Sequence, residues 1–203
     1  MPTDAVDARI VFADPRTVAL AEAVADGDVA RIRTLAPGVD LSIRGDKNVT
    51  LLQWAVLNRS LAGMKALLDA GADPSQTGLD SDTVVHVAAM ANDSAYLSEL
   101  LSRGVDPNVR NGESGAGPLR AALMGERDEQ FRALLAAGAD PDLADRMGNT
   151  PLHVAGQNNP AGVEAKTEKD TVAFTPYATI KDMFGVSCFL LFFAWFIFYM
   201  PNY

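Results

Sequence analysis

Short apolar runs with helical spacing recur through the chain, at Met64 to Leu68, Leu97 to Leu101 and Phe131 to Leu135, each closing on Leu-Leu. A glycine and an acidic turn follow each run: Gly71-Ala72-Asp73-Pro74, Gly104-Val105-Asp106-Pro107 and Gly138-Ala139-Asp140-Pro141, with Gly38-Val39-Asp40 ahead of them. Gly38, Gly71, Gly104 and Gly138 are almost evenly spaced. A second, independent marker keeps the same interval: Thr50-Leu51-Leu52-Gln53, Thr83-Val84-Val85-His86, Gly117-Pro118-Leu119-Arg120 and Thr150-Pro151-Leu152-His153. Two markers in register three times over, at a period of about 33 residues, predict a repeated unit of a turn and two helices.

Each marker residue has a physical task. A threonine at a helix start caps backbone N–H groups that have no partner within the helix. Proline is tolerated in the first turn, where its missing N–H is no loss. Leucine enters the core between units, and the glycine after each second helix supplies the left-handed conformation that stops it. The pattern predicts full units at residues 45–77, 78–111 and 112–144. A unit at 12–44, with helices Arg16 to Asp26 and Val29 to Leu35, lacks the second marker and reads as a cap. A fifth unit at 145–155 breaks off in Gln157-Asn158-Asn159-Pro160-Ala161-Gly162, a helix-hostile stretch.

The unit resembles the ankyrin repeat. The last copy, Thr150-Pro151-Leu152-His153, carries that family's Thr-Pro-Leu-His motif unchanged; elsewhere Leu51 stands for its proline, Gln53 for its histidine and Gly117 for its threonine. The resemblance implies an all-α solenoid, with no catalysis, that binds proteins on the concave strip formed by turn tips and the inner face of the first helices. Carried over position by position, the protein-binding residues would be Lys47, Asn58, Leu79, Asp80, Asp82, Met90, Glu113, Ser114, Met124 and Arg146. It makes His86 a structural residue.

The final part follows different rules. Residues 1–160 hold 14 Lys+Arg against 22 Asp+Glu, residues 161–203 only 3 against 4, and seven of the nine Phe lie after residue 160. From Met183 to Met200 run 18 residues without a charge, which as a helix is about 27 Å long, close to a bilayer's hydrocarbon thickness. Phe, Leu and Trp occupy every face of it, whereas a soluble helix keeps one face polar. Trp195 and Tyr199 suit an interfacial belt. A single transmembrane helix at 183–200 is therefore expected. Lys166, Lys169 and Lys181 precede it and no basic residue follows, so its N-terminal side is expected in the cytoplasm. Met1 to Arg16 has no basic start or apolar run of a secretory signal.

A second resemblance begins inside the last motif. Leu152-His153-Val154-Ala155-Gly156-Gln157-Asn158-Asn159-Pro160-Ala161-Gly162-Val163-Glu164, then Phe174-Thr175-Pro176-Tyr177-Ala178-Thr179-Ile180-Lys181-Asp182, then Met200-Pro201-Asn202-Tyr203, resemble one stretch of respiratory cytochrome b. It makes 156–182 a linker of the kind that leaves a haem-bearing helix in that family. It implies that His153, Lys181 and Asp182 match residues lining a quinone pocket, with Gln157 nearby. The family's four haem-ligating histidines have no counterparts, since His86 and His153 are the chain's two histidines. No haem, metal or other cofactor is expected, and His153 is read as a motif residue first. A shared Leu-His-Val-Ala word at the junction fits a chimera or a natural fusion equally.

Composition narrows the function further. A net charge of -9 and a pI near 4.6 argue against nucleic acid, whose binding needs clustered Lys and Arg to displace counterions. The single Cys188 makes no internal disulfide and lies in the apolar segment. No phosphate loop, dinucleotide fingerprint or nucleophile elbow occurs, and Asp40, Asp73, Asp106 and Asp140 recur with the repeat as turn residues. The expected partners are one or more proteins on the concave face and a lipid bilayer at 183–200. Three readings stay open: a membrane-tethered protein-binding scaffold, a chimeric or fragmentary cytochrome b-like respiratory protein of electron transport, and an immunity or inhibitor partner of a bacterial effector.

Overall fold

The computed structural model describes residues 7–151, 153 and 154. Within them the helices are α1 (Ala8–Val11), α2 (Pro15–Asp26), α3 (Val29–Leu35), α4 (Leu51–Leu57), α5 (Leu61–Asp69), α6 (Val84–Met90), α7 (Ala95–Ser102), α8 (Pro118–Met124) and α9 (Asp128–Ala136). Pro151, His153 and Val154 are also helical. Among the described residues the only β feature is one isolated antiparallel bridge, Arg44 to Thr50.

Helices pair as hairpins, α2 with α3, α4 with α5, α6 with α7 and α8 with α9. The first helix of each pair packs on the first helix of the next, α2 on α4, α4 on α6, α6 on α8. The second helices follow suit, α3 on α5, α5 on α7, α7 on α9. The result is a two-layered stack in which each unit touches its neighbours, the arrangement that a turn-and-two-helices repeat demands.

Local chemistry sets each helix start. The Asp14 carboxylate accepts from the Thr17 N–H at 2.9 Å, with Pro15 in the first turn of α2. Asp28 does the same for α3 through Arg31, and Ser60 for α5 through Gly63. Thr50 and Gln53 form a reciprocal capping box on α4. At the matching position of α8, Gly117 gives no side-chain cap, and a Cβ there would lie 2.7 Å from Leu143 Cδ2. Glycine keeps room for Leu143, and Pro118 takes over the start of the helix.

The helix stops follow the expected rule with one exception. Gly71, Gly104 and Gly138 have φ of 93°, 77° and 89°. Gly38 does not: α3 tightens instead into a 3₁₀ turn, Ala36–Gly38, with Pro37 inside it. The expectation of a left-handed glycine at 38 is corrected there, because the tightened turn already ends the helix. A further feature beyond the sequence reading is α1, capped by Asp7, which precedes residue 12.

The interior is aliphatic, with Leu20, Ile32, Leu51, Met64, Leu67, Leu97, Leu100, Leu119 and Leu134 fully buried. Each such side chain is worth roughly 1.5–3 kcal/mol of apolar transfer. Trp54 fixes α4 to the cap: its Nε1–H donates to the Ala21 carbonyl at 2.9 Å, and Phe12 meets its ring edge-on at 5.8 Å between centroids.

No helix among the described residues is long and apolar enough to cross a membrane. The expected linker at 156–182 and transmembrane helix at 183–200 lie outside the described residues.

Candidate protein-binding surface

Four tight tips project from the stack at residues 45–49, 78–82, 111–116 and 145–149. Each closes on one backbone hydrogen bond: Gly45 N–H to Val49 O at 2.9 Å, Gly78 N–H to Asp82 O at 2.7 Å, Asn111 N–H to Ala116 O at 2.8 Å and Asp145 N–H to Asn149 O at 2.9 Å. Lys47, Asn48, Asp80 and Ser81 take φ between 52° and 62° to make the reversal. The tips also grip one another. Gly112 N–H donates to Ser81 O at 2.8 Å, and Arg146 N–H to Ser114 O at 2.9 Å.

One register position joins α4, α6 and α8 each to the following tip. Gln53 Oε1 accepts from the Thr50 and Leu79 N–H groups, and its Nε2 donates to Asp82 O at 2.9 Å. His86 accepts the Thr83 N–H at Nδ1, and its Nε2 lies 3.0 Å from Ala116 O. Arg120 forms an ion pair with Asp145 in the next tip. The Asp145 carboxylate also accepts the Asn149 and Met147 N–H groups, and the Asn149 N–H chiefly holds its pKa below the ordinary value. An amide, an imidazole and a guanidinium thus perform one task. His153 repeats the inner half of it, accepting the Thr150 N–H at 3.1 Å with its ring exposed.

The ten residues expected on the binding strip divide into two groups. Asn58 donates to Trp54 O at 2.9 Å at the end of α4. The half-buried Leu79 is held by Gln53. Asp82 accepts from Asn111 Nδ2 at 2.6 Å. Ser114 Oγ accepts the Ala116 N–H at 3.2 Å, and Arg146 donates to Gly112 O at 2.8 Å. Asn58 closes the end of α4, and the other four hold the tips in place, with Ser114 and Arg146 still exposed. Lys47, Asp80, Met90, Glu113 and Met124 are exposed.

The structure adds a residue that the sequence reading passed over. Leu57, Met90 and Met124 end α4, α6 and α8 at one register of three successive units, and are 51%, 39% and 60% exposed. The signal for Leu57 was that same spacing. A groove of about 510 Å³ opens between the first two, lined by Val56, Leu57, Arg59, Val87, Met90, Ala91, Asn92, Asp93 and Tyr96. Burial raises the Tyr96 pKa above its ordinary value. Gly125, next to Met124, approaches the Met90 backbone, so the stripe continues onto α8.

Among the described residues no group of His, Cys, Asp and Glu is arranged to hold a metal. Of the quinone-site-like residues, His153 is described; Gln157, Lys181 and Asp182 lie outside the described residues.

Comparison with known proteins supports both parts of the sequence reading. Residues 80–165 match the family model for ankyrin repeats in three copies. Over 142 residues, 70% of this chain, the sequence is 53% identical to Protein PhlB of Serratia liquefaciens and covers 63% of that protein. A stretch of 52 residues, 26% of this chain, is 85% identical to cytochrome b/c1 of Bradyrhizobium diazoefficiens and covers 8% of it. A 52-residue match to cytochrome b of Rickettsia prowazekii is 52% identical and covers 13% of it. The chain therefore carries ankyrin repeats together with a short cytochrome b-like segment, and spans less than two thirds of each of these relatives.

Proposed function

We propose that the repeat stack is a non-catalytic scaffold that binds one protein partner, and that residues 183–200 tether it to a membrane with the stack on the cytoplasmic side. The observation that carries the binding reading is the stripe of Leu57, Met90 and Met124, three large apolar side chains left exposed at equivalent places in successive repeats. About half or more of Leu57 and Met124 and over a third of Met90 stay available to a partner. Methionine is an adaptable contact residue, its unbranched thioether fitting varied surfaces. The family match at 80–165 supports a protein-interaction role in general terms.

A photo-cross-linking amino acid placed at Met90, Met124 or the exposed Ala62 of α5 in the full chain tests this in cells. The expected result is one cross-linked species from Met90 and Met124 and none from Ala62. Equal cross-linking from all three, or none, overturns the reading. For the tether, fractionation of the full chain against a version ending at Gln157 is expected to leave only the longer one in the membrane.

The 85% identical stretch favours a second reading, in which the chain is of mixed origin and its cytochrome b-like part associates with a respiratory complex. Copurification of the full chain with haem and respiratory subunits would establish it. Absence of a haem Soret band from membrane-extracted protein would remove it.

A further inference from the structure

The stripe on α4, α6 and α8 has a spacing and a charged border that together select a kind of occupant. Resting on the binding reading above, we propose that it receives a basic amphipathic helix whose apolar residues recur every seven positions.

The spacing argument is geometric. Packed helices lie about 8–10 Å apart, so Leu57, Met90 and Met124 step across the stack by about that distance. An α-helix advances about 10.5 Å in seven residues. A helix laid across the first-helix ends therefore brings one apolar side chain to each of the three, as helix-in-groove recognition requires. The groove between Leu57 and Met90 receives one such side chain, with Val56, Val87 and Ala91 beside it.

The charge argument comes from the loops along the same edge, where each first helix turns into its second. They carry Asp26, Asp28, Asp93, Glu126 and Asp128 against Arg59 and Arg127. Arg127 donates its Nε–H to the Met90 carbonyl at 3.0 Å and keeps its charge, so the edge carries five carboxylates against two guanidinium groups. Asp93 lines the groove itself, and Glu126 stands two residues from Met124 with φ of 55°, exposed. Arg59, on the groove's other side, is the one basic exception facing it. An apolar stripe bordered by carboxylates, on a chain of net charge -9, attracts Lys and Arg and repels acidic segments.

The test titrates the full chain with fluorescent synthetic helices. The probe has leucine at every seventh position and Lys and Arg on the flanks. Three comparison peptides are a scrambled order, a version with Glu in place of Lys and Arg, and one with leucines every fifth position. The probe is expected to bind best, and to weaken as salt rises from about 0.05 to 0.5 M. Met90→Ser with Met124→Ser is expected to lower affinity by about tenfold or more, and Glu126→Gln with Asp93→Asn by a smaller, salt-dependent factor. Asp93→Asn keeps an oxygen to accept the Ala95 N–H that Asp93 now accepts. Binding of the acidic or five-spaced peptide as tightly as the probe overturns the inference, and so does insensitivity to the methionine variants. If cross-linking from Met90 captures a partner but the basic helix fails to bind, the occupant is wrong while the binding surface stands.

Discussion

His86 and Ala116 belong to successive repeats and meet at 3.0 Å, imidazole Nε2 to carbonyl oxygen. On the other side of the ring, Nδ1 takes the Thr83 N–H at 3.3 Å. A carbonyl only accepts and an amide N–H only donates, so the ring is neutral with its proton on Nε2. Burial pushes the pKa of His86 below its ordinary 6.5, against the opposing pull of the Ala116 carbonyl and Asp82.

A pH dependence follows from that depressed value. Above pH 6.5 the ring is neutral folded and unfolded, and its contribution is fully present. As pH falls below 6.5 the unfolded chain takes up a proton that the folded chain resists, so stability declines towards the folded pKa. Urea midpoints between pH 7.5 and 5 are expected to fall on the acid side. His86→Gln, which copies the residue at 53, is expected to flatten that slope at a cost within about 1 kcal/mol, and His86→Ala to cost about 2–4 kcal/mol. An unchanged slope in His86→Gln would assign the titration elsewhere.

Gly63 sits where α5 crosses α2. A Cβ at this position would stand 2.3 Å from the Val24 carbonyl oxygen, a backbone atom that cannot swing aside. Gly63→Ala is expected to destabilise by about 2 kcal/mol or more despite the better helix propensity of alanine. Gly38→Ala, with nothing within 4 Å of the added carbon, is expected to be neutral or stabilising. Chemical denaturation of both variants checks the contrast.

Thr50 closes the capping box on α4 with Gln53. Thr50→Ala is expected to cost about 1 kcal/mol. Gln53→Ala should cost more, since it strips partners from Thr50, Leu79 and Asp82 together. Comparable losses from the two would mean that the bridge to the next tip carries no energy.

Phe12 and Trp54 bind the chain's first helices to the stack. Truncating each singly and both together is expected to give a coupling of about 0.5–1.5 kcal/mol. Trp54→Phe keeps the ring but leaves the Ala21 carbonyl without its 2.9 Å donor, and is expected to lose about 1–2 kcal/mol.

The exposed ends of the first helices behave differently. Met124→Ser, at a residue 60% exposed, is expected to leave the unfolding midpoint within about 0.5 kcal/mol of the parent, and Met90→Ser, at a residue 39% exposed, to cost about 1 kcal/mol or less. A larger loss in either would return that methionine to the core and shorten the stripe.

Much of the stack is legible in the residues because each unit is specified locally. Arg16 to Asp26 and Val29 to Leu35 were visible as helices, and the structure begins the first one residue earlier, at Pro15. The acidic turns were equally plain: Asp40, Asp73, Asp106 and Asp140 each accept the N–H two residues ahead. The binding strip was less legible. Exposure along a repeat depends on what the neighbouring unit covers: Leu79 and Asp82 are half-buried in the stack, held by Gln53 and Asn111, while Ser114 and Arg146 stay exposed, and Leu57 was not singled out.

By itself, then, the sequence determined the period, the paired helices of the repeats with their acidic turns, and the presence of a second, cytochrome b-like segment, because spacing and local hydrogen-bonding chemistry are written within a single repeat unit of chain. Only the tertiary structure decided that the glutamine, histidine and arginine aligned at one register each bond to the next tip, and which apolar side chains face outward. Both depend on contacts between units, such as that of His86 with Ala116, which exist only once the repeats are stacked.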